Sequence, residues 1–250
     1  MRYDDGASQL VRPTNDGWSF DLDAMMAAGK AHRDAYATAP PWPHVVLDGV
    51  LGDERSLKIA RAFPRASHPG WKRRDYAEQS GRMGQLQRTA FDGVASEVRW
   101  LLAELNGMGF IGFLNALTDR RDLIPDPAFT GAGLMATVAG GHLGVHVDFN
   151  RDSARHLDRV ISILYYAPTT WDRAWGCELE LWDRTRARCV TRIAPLRDRL
   201  VVLAYGEDHW HGHPTPLACP DTEMRAVVAA HYYAARAQPG DDDNAHGAVW

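Results

Sequence analysis

The spacing of hydrophobic and polar residues changes near residue 130, which divides the chain into two kinds of predicted structure. Before that point, helical spacing predicts α-helices at 21–38, 53–63, 93–105 and 110–119. Prolines at 40, 41 and 43 end the first of them, and the apolar run 44–51 predicts a short strand. The stretches 1–20 and 64–90 show little periodicity and predict an irregular lead-in and a long loop.

After residue 130, short apolar or alternating runs predict a series of strands. They fall at 133–139, 143–149, 159–167, 177–183, 188–195, 199–206 and 225–233. Glycine, proline or aspartate marks most of the gaps, which is typical of an all-β sandwich or barrel. The sequence therefore predicts a mostly β fold with a helical N-terminal half: a double-stranded β-helix (jelly roll) buttressed by α-helices.

The chain length of 250 residues fits one domain. Within it, we interpret 1–129 as mainly helical support with an entry strand and 130–236 as the jelly-roll core. Residues 237–250 are expected to be a frayed tail, in which Trp250 is the residue able to dock.

Charge and cysteine content restrict the partners and the compartment. A net charge of −4 gives no sign of a nucleic-acid or anionic-membrane surface. The three cysteines lack C-x-x-C spacing, and no apolar run is long enough for a signal core or a membrane span. We expect a cytoplasmic protein with no nucleic-acid or membrane partner. Its oligomeric state stays open, with a homodimer as one option.

The chemistry begins with His146 and Asp148 in the stretch 141–150, GHLGVHVDFN. Residues two apart on a strand point to the same side, so this imidazole and carboxylate form half of a metal site. A second half lies in 208–216, where His209, His211 and His213 alternate. Two histidines and one carboxylate with open positions suit non-haem Fe(II) oxygenases. An ordinary exposed strand with polar residues is the other interpretation at this point.

The order of several motifs resembles the prolyl-4-hydroxylase-like branch of the Fe(II)/2-oxoglutarate-dependent dioxygenase superfamily. The motifs run from about Leu134 to Tyr233, and PHVVLDGVL at 43–51 is similar to the family's entry strand. They are H-x-D-F-N at 146–150, the arginine-initiated strand RVISILYYAP, W-G-C-E-L-E-L-W at 175–182, I-A-P at 193–195, RLVVLAY at 199–205, W-H-G-H-P at 210–214 and an arginine-led final strand.

The resemblance implies that Fe(II) is bound by His146, Asp148 and His211, with His209 and His213 as rival ligands. It also implies that Arg225 pairs the far carboxylate of 2-oxoglutarate, and that Tyr165 hydrogen-bonds the same carboxylate. A guanidinium binds a carboxylate through two parallel hydrogen bonds, which agrees with the arginine assignment.

Two departures from the family pattern stand near these residues. Cys177 replaces a frequent glycine, and the 14-residue gap from His211 to Arg225 exceeds that of compact members.

The resemblance further implies a hydroxylase that uses Fe(II), 2-oxoglutarate and O2, with ascorbate as an optional reductant. Members that halogenate lack the carboxylate, so Asp148 favours hydroxylation. The substrate is expected to be a small molecule, a free amino acid or amino-acid-derived metabolite. The alternative is a prolyl hydroxylase acting on a protein. Candidate pocket residues are the loop arginines (Arg82 and Arg88), His231, and three tryptophans: Trp171, Trp175 and Trp210.

Two functions from other classes compete with the dioxygenase. A zinc-dependent hydrolase would use the same histidine and aspartate ligands, but it leaves Arg225 and Tyr165 without a role, and no HExxH-type base is present. A non-catalytic jelly-roll binding module, the more distant alternative, does not account for the ordered metal-ligand set.

Overall fold

The computed structural model describes residues 8–75, 83–236 and 245–250. Its helices are α1 (Leu22–Thr38), α2 (Asp53–Ala62), α3 (Ser96–Leu105) and α4 (Met108–Thr118). The strands are β1 (Val11–Thr14), β2 (Gly17–Phe20), β3 (His44–Asp48), β4 (Lys72–Arg73), β5 (Met83–Arg88), β6 (Ile124–Pro125), β7 (Gly133–His146), β8 (Arg151–Asp152), β9 (Leu157–Tyr166), β10 (Leu179–Trp182), β11 (Cys189–Ile193), β12 (Arg199–Ala204), β13 (His211–His213) and β14 (Arg225–Ala235).

The four predicted helices are confirmed, and their ends have physical causes. Helix α1 begins after Asp21, whose side chain accepts a hydrogen bond from the Ala24 backbone N–H at 2.9 Å. It ends at Thr38, just before the prolines at 40 and 41. Helix α1 packs against α4, and Gly29 permits the approach, since a Cβ there would collide with the backbone of Phe113.

Among the described residues, β3 to β14 form one continuous curled sheet. Its main path runs β11-β10-β13-β7-β14-β9-β12-β3, and β5 pairs with the other side of β7. All of these pairings are antiparallel. The long strand β7 joins the two layers, because it bonds to β13 in one and to β14 and β5 in the other. The predicted mostly β jelly roll with helical support is confirmed.

Strand β14 separates the pocket from the helical layer. Its residues are buried on both faces, and Tyr232 points toward the helices, where its hydroxyl donates to the Leu105 carbonyl at 2.5 Å. The ring of Tyr232 also lies 6.0 Å from that of Phe110 in α4. Alternation along the strand therefore turns Arg225 and His231 to the opposite side, where both line a cavity.

The structure corrects three predictions about irregular regions. The predicted lead-in contains the hairpin β1–β2, and the predicted loop 64–90 contains β4 and β5, which extend the sheet beside β7. The predicted tail is not frayed over residues 245–250, where Val249 pairs with Val147. Residues 237–244 lie outside the described residues.

Within the described ranges, no single helix is long and apolar enough to cross a membrane. The pair α3 and α4, bent by 43°, meets the length and composition test only when the two are taken together.

Candidate active site

Three predicted ligands meet where β7 and β13 pair. His146 ends β7 and His211 begins β13, and the antiparallel register sets these two residues opposite each other. One ligand atom from each of His146, Asp148 and His211 lies within 4.8 Å of the others. Asp148 Oδ1 is 3.3 Å from His146 Nε2, and its Oδ2 is 3.5 Å from His211 Nε2. We call these three residues the His–Asp–His group.

Both imidazoles are oriented by backbone carbonyls. His146 Nδ1 lies 2.9 Å from the Gly144 oxygen, and His211 Nδ1 lies 3.0 Å from the His209 oxygen. A carbonyl only accepts, so each Nδ1 carries a proton and each Nε2 faces Asp148. Metal-binding histidines are commonly fixed in this way. The donor set and its orientation therefore fit a divalent cation such as Fe(II).

A glycine permits the close approach of the two strands. A Cβ on Gly212 would lie 2.5 Å from the Gly144 carbonyl oxygen, well inside any allowed contact. Glycine at 212 in the W-H-G-H-P motif thus lets β13 lie directly against β7. The consequence is that His211 reaches the His–Asp–His group.

The two rival histidines have other partners. The His209 ring stacks on Trp42 at 4.7 Å, and its Nδ1 contacts the Ala204 carbonyl. His213 is buried, with its Nδ1 3.1 Å from the Sγ of Cys177. Neither histidine belongs to the group of three.

The electrostatics of the site centre on a buried arginine that the sequence analysis did not single out. Arg159 Nη2 donates to Asp148 Oδ2 at 2.7 Å and also contacts Ser162 and His231. Burial alone would raise the pKa of Asp148, but Arg159 and His211 outweigh burial and hold that pKa well below its ordinary value. Asp148 is therefore an anion ready to bind a cation. The available signal was the arginine near the start of the apolar run RVISILYYA.

The histidines respond to the same surroundings in different ways. Burial lowers the pKa of His146. Burial would also lower the pKa of His211, but the adjacent Asp148 carboxylate outweighs it and raises that pKa. Burial, followed by the neighbouring Arg159 charge, lowers the pKa of His231 to about 3. His231 is thus neutral, and its Nδ1 accepts the 3.0 Å hydrogen bond from Arg159.

Arg225 supplies positive charge elsewhere in the same cavity. Its side chain is buried, and Nη2 donates to the hydroxyl of Tyr166 at 2.9 Å. Its Nε is buried with no hydrogen-bond partner, and among the described residues no carboxylate pairs with it. A buried guanidinium without a counter-charge fits the far carboxylate of 2-oxoglutarate.

The prediction for Tyr165 is wrong. Its hydroxyl donates to Asp198 Oδ1 at 3.0 Å on the far side of β9 from the cavity. Side chains alternate along the strand, so Tyr166 is the residue beside Arg225. Tyr165 instead helps to hold Asp198, which also accepts hydrogen bonds from the backbone N–H groups of Leu51 and Gly52.

Asp198 gives a testable pH dependence of stability. Burial raises its pKa from 3.8 to about 6, although three donors oppose this shift. The folded protein then holds this proton more tightly than the unfolded chain, so the stabilisation is present below pH 4 and disappears as pH rises through about 6. Relative to Asp198→Asn, the native protein should lose about 2–3 kcal/mol of unfolding free energy between pH 4 and 7. Urea unfolding at several pH values measures this difference, and equal slopes in both proteins would contradict it.

The cavity has a volume of about 340 Å³ and lies between the two layers of the sheet. Its lining includes the His–Asp–His group, Arg159, Arg225 and His231, together with Arg74, Gln85 and Gln87 from the β4–β5 hairpin and Ala248 and Trp250. His231, one of the candidate pocket residues, lines this cavity.

The other predicted pocket residues lie elsewhere. Arg88 bonds to His68 and to the Ala90 and Asp92 carbonyls. Trp171 and Trp175 pack beside the buried Cys177, and the guanidinium of Arg186 lies over the Trp210 ring. Arg82 is outside the described residues.

Comparison with known proteins agrees with this geometry. Residues 132–233 match the model of the 2OG-Fe(II) oxygenase superfamily, and this segment contains the His–Asp–His group and Arg225. No curated protein matches the chain.

Solved structures share the fold at low identity. A prolyl-4-hydroxylase from Pseudomonas putida is 18% identical, with a TM-score of 0.55 over 85% of this chain and 100% of that one. A prolyl hydroxylase from Trichoplax adhaerens, solved with a peptide fragment of the hypoxia inducible factor oxygen degradation domain, is 17% identical. Its TM-score is 0.57 over 85% of this chain and 92% of the other. The family match assigns residues 132–233 to the 2OG-Fe(II) oxygenase superfamily, whose enzymes use Fe(II), 2-oxoglutarate and O2, and the fold of the chain agrees with that match.

Proposed function

We propose that the chain hydroxylates a small, amino-acid-like molecule, with Fe(II) bound by the His–Asp–His group and 2-oxoglutarate anchored by Arg225. The observation that carries this proposal is one cavity containing both a group of three ligand atoms within 4.8 Å and a buried, uncompensated guanidinium. The cofactors supply the oxidising chemistry when bound, with 2-oxoglutarate leaving as succinate and CO2.

The protein's own residues hold the reactants in position. The backbone carbonyls at Gly144 and His209 keep both Nε2 atoms toward the metal position. Arg159 keeps Asp148 ionised and fixes one of its oxygens. In a buried site, such fixed charges and oriented ligands cost no rearrangement during the reaction.

The carboxylate at position 148 favours hydroxylation over halogenation. Asp148 fills the position that a halide would need, and its bond to Arg159 keeps it facing the two histidines. We therefore expect a hydroxylated product and no chlorinated product in chloride buffer.

The size of the cavity supports a small substrate. Its volume of about 340 Å³ is near the lower end of the range for small-molecule sites, about 300–1,000 Å³, and 2-oxoglutarate must share it. A free amino acid or a derivative of similar size suits the remaining space.

Arg74 supports a substrate that carries a carboxylate. Its Nε donates to Gln87 Oε1 at 3.1 Å, and Gln87 is held in turn by the Ala132 carbonyl. No carboxylate among the described residues pairs with the Arg74 guanidinium. The arginine therefore presents an oriented cation to the cavity.

Arg74→Ala should raise the KM for the substrate about 10- to 100-fold, since a charge-assisted hydrogen bond contributes about 1.5–3 kcal/mol. The constant for 2-oxoglutarate should stay near its native value. Arg73→Ala is the matched control, because Arg73 pairs with Asp75 outside the cavity. Equal effects of the two variants on substrate KM would contradict this role.

A prolyl hydroxylase acting on a protein is the second candidate. It is supported by the fold shared with the Pseudomonas and Trichoplax prolyl hydroxylases, of which the latter was solved with a peptide bound. Assays with free amino acids beside proline-containing peptides discriminate the two candidates.

The experiment that tests the proposed function adds Fe(II) and 2-oxoglutarate to the protein under anaerobic conditions. The chelate should give a weak visible charge-transfer band, and O2 should then release succinate together with a hydroxylated product. Zn(II) serves as the matched control and should give no band. A protein that binds Fe(II) but forms no band and no succinate would contradict the proposal.

A further inference from the structure

Residues 245–250, which we call the arm, lie beside the segment that carries two of the proposed ligands. The Val147 N–H donates to the Val249 carbonyl at 2.8 Å, and the Val249 N–H donates to the Val147 carbonyl at 2.9 Å. Val147 stands between His146 and Asp148, so the arm is bonded to the backbone between them.

A second set of contacts ties the arm to the loop that precedes His211. The His246 backbone N–H donates to Asn150 Oδ1 at 3.0 Å, and its Nε2 lies 2.6 Å from Glu207 Oε2. The Tyr205 hydroxyl lies 3.3 Å from the same nitrogen. Asn150 follows Asp148 by two residues, and Glu207 precedes His211 by four. The arm thus connects both segments that carry the His–Asp–His group.

The pairing at Val249 directs its neighbours into the cavity. Side chains alternate along an extended segment, so Ala248 and Trp250 share one side while Val249 takes the other. Ala248 and Trp250 line the cavity, and Val249 is 42% exposed. The indole of Trp250 stacks on the imidazole of His146, with ring centroids 4.8 Å apart and an interplanar angle of 28°.

We propose that Trp250 is a specificity-determining residue that forms one wall of the substrate pocket beside the metal. A flat indole at this place limits the width available to the substrate and offers an apolar surface to it. Arg74 contributes a cation to the same cavity. The preferred substrate is therefore a small acid whose apolar part is narrow enough to lie beside the indole. This inference rests on the proposed function, because it concerns the substrate of that site.

The first test measures whether Trp250 lies beside the metal position, and it needs no turnover. Ni(II), used as the probe metal, should quench the tryptophan fluorescence of the native protein. Trp250→Phe should reduce this quenching, because the indole stacks on a proposed ligand, and the Trp42 indole, 6.2 Å from the His211 ring, accounts for the remainder. Trp18→Phe is the matched control, since Trp18 packs on Phe20 in the β1–β2 hairpin, and it should quench like the native protein. Unchanged quenching in Trp250→Phe would overturn the proposal.

The second test measures the selectivity of the pocket among compounds of different size. Free amino acids and their N-acetyl derivatives are added to anaerobic protein containing Fe(II) and 2-oxoglutarate, and binding is followed by the shift of the visible band. Trp250→Ala should improve the relative affinity for larger side chains by about tenfold, as expected for a changed apolar pocket wall. Trp250→Phe should keep the native order. The same order in the native protein and in Trp250→Ala would overturn the proposal.

If no added compound binds, the rate of succinate formation without substrate tests whether Trp250 forms a wall of the pocket. Trp250→Ala should raise that rate severalfold, because it opens the metal side of the cavity to water. An unchanged rate would overturn the proposal. Absence of the band in the native protein would contradict the proposed function itself and with it the pocket role. The Ni(II) result would still report separately whether Trp250 lies at the metal position.

A pair of variants at Val249 tests whether the arm positions the indole. Val249→Pro removes the N–H that donates to Val147, and it should change selectivity in the same direction as Trp250→Ala. Val249→Ala keeps both backbone hydrogen bonds and should behave like the native protein. Native behaviour in Val249→Pro would overturn the positioning role of the arm.

Discussion

Asp148→Ala and His146→Ala are expected to abolish product formation and to weaken Fe(II) binding by more than about 100-fold. Loss of residues that merely support metal ligands already costs about 10- to 100-fold, and these two variants would remove donor atoms themselves. Fe(II) titration with a chromophoric competitor measures the affinity, and succinate release measures turnover. Near-native turnover in either variant would contradict the assignment.

Thermal unfolding of the metal-free proteins provides the control for these two variants. His146 and Asp148 line the cavity and lie outside the main hydrophobic cluster, so His146→Ala should keep a near-native unfolding temperature. Asp148→Ala leaves the buried Arg159 without its carboxylate and should unfold at a lower temperature, so its activity is measured well below that temperature.

The three alternating histidines provide an internal comparison for the same assignment. His211→Ala should be inactive, because its Nε2 faces Asp148. His209→Ala and His213→Ala should keep measurable rates, since their rings contact Trp42 and Cys177 instead. Activity in His211→Ala together with loss in His213→Ala would move the proposed third ligand two residues along β13.

Arg225→Ala is expected to raise the apparent constant for 2-oxoglutarate roughly 30- to several-thousand-fold, corresponding to about 2–5 kcal/mol. The reason is that the variant leaves the far carboxylate of the cosubstrate buried without its cation. The Arg225 guanidinium bonds to Tyr166 and is not part of the His–Asp–His group. Fe(II) affinity should therefore change little. Titration of 2-oxoglutarate, followed by the visible band, measures the constant.

Two further variants sharpen this test. Arg225→Lys should restore only part of the affinity, because an ammonium group cannot form the paired hydrogen bonds of a guanidinium. Arg236→Ala is the control, since Arg236 follows the opposite end of β14 and lies 3.9 Å from Asp158. An unchanged constant in Arg225→Ala, with a raised one in Arg236→Ala, would move the proposed anchor to Arg236.

The arrangement of the proposed ligands was predictable because strand geometry determines it. Alternation brings His146 and Asp148 to one side, and the glycine in W-H-G-H-P marks the close approach of β13. The choice between Tyr165 and Tyr166 was not predictable from the pattern. Strand β9 is buried on both faces, so both tyrosines are buried and no alternation of polar and apolar residues defines the facing side.

Strand β5 escaped prediction because its cavity-facing residues are polar. Gln85 and Gln87 point inward and bond to the Thr137 hydroxyl and the Ala132 carbonyl, so the segment lacks an apolar face. The ordered arm was not predicted for another reason: backbone hydrogen bonds and one indole hold it in place, and backbone hydrogen bonds leave no pattern in the sequence. The single-domain organisation and the cytoplasmic location stay predictions.

The position of the β4–β5 hairpin suggests how enzymes of this shape could diversify. Among the described residues, the hairpin joins the sheet only through β7, on the side of that strand away from β13. Evolution can therefore rewrite Arg74, Gln85 and Gln87 without disturbing the register that opposes His146 to His211. The same separation is useful in protein engineering: a library of variants confined to this hairpin would change the substrate while the His–Asp–His group stays unchanged.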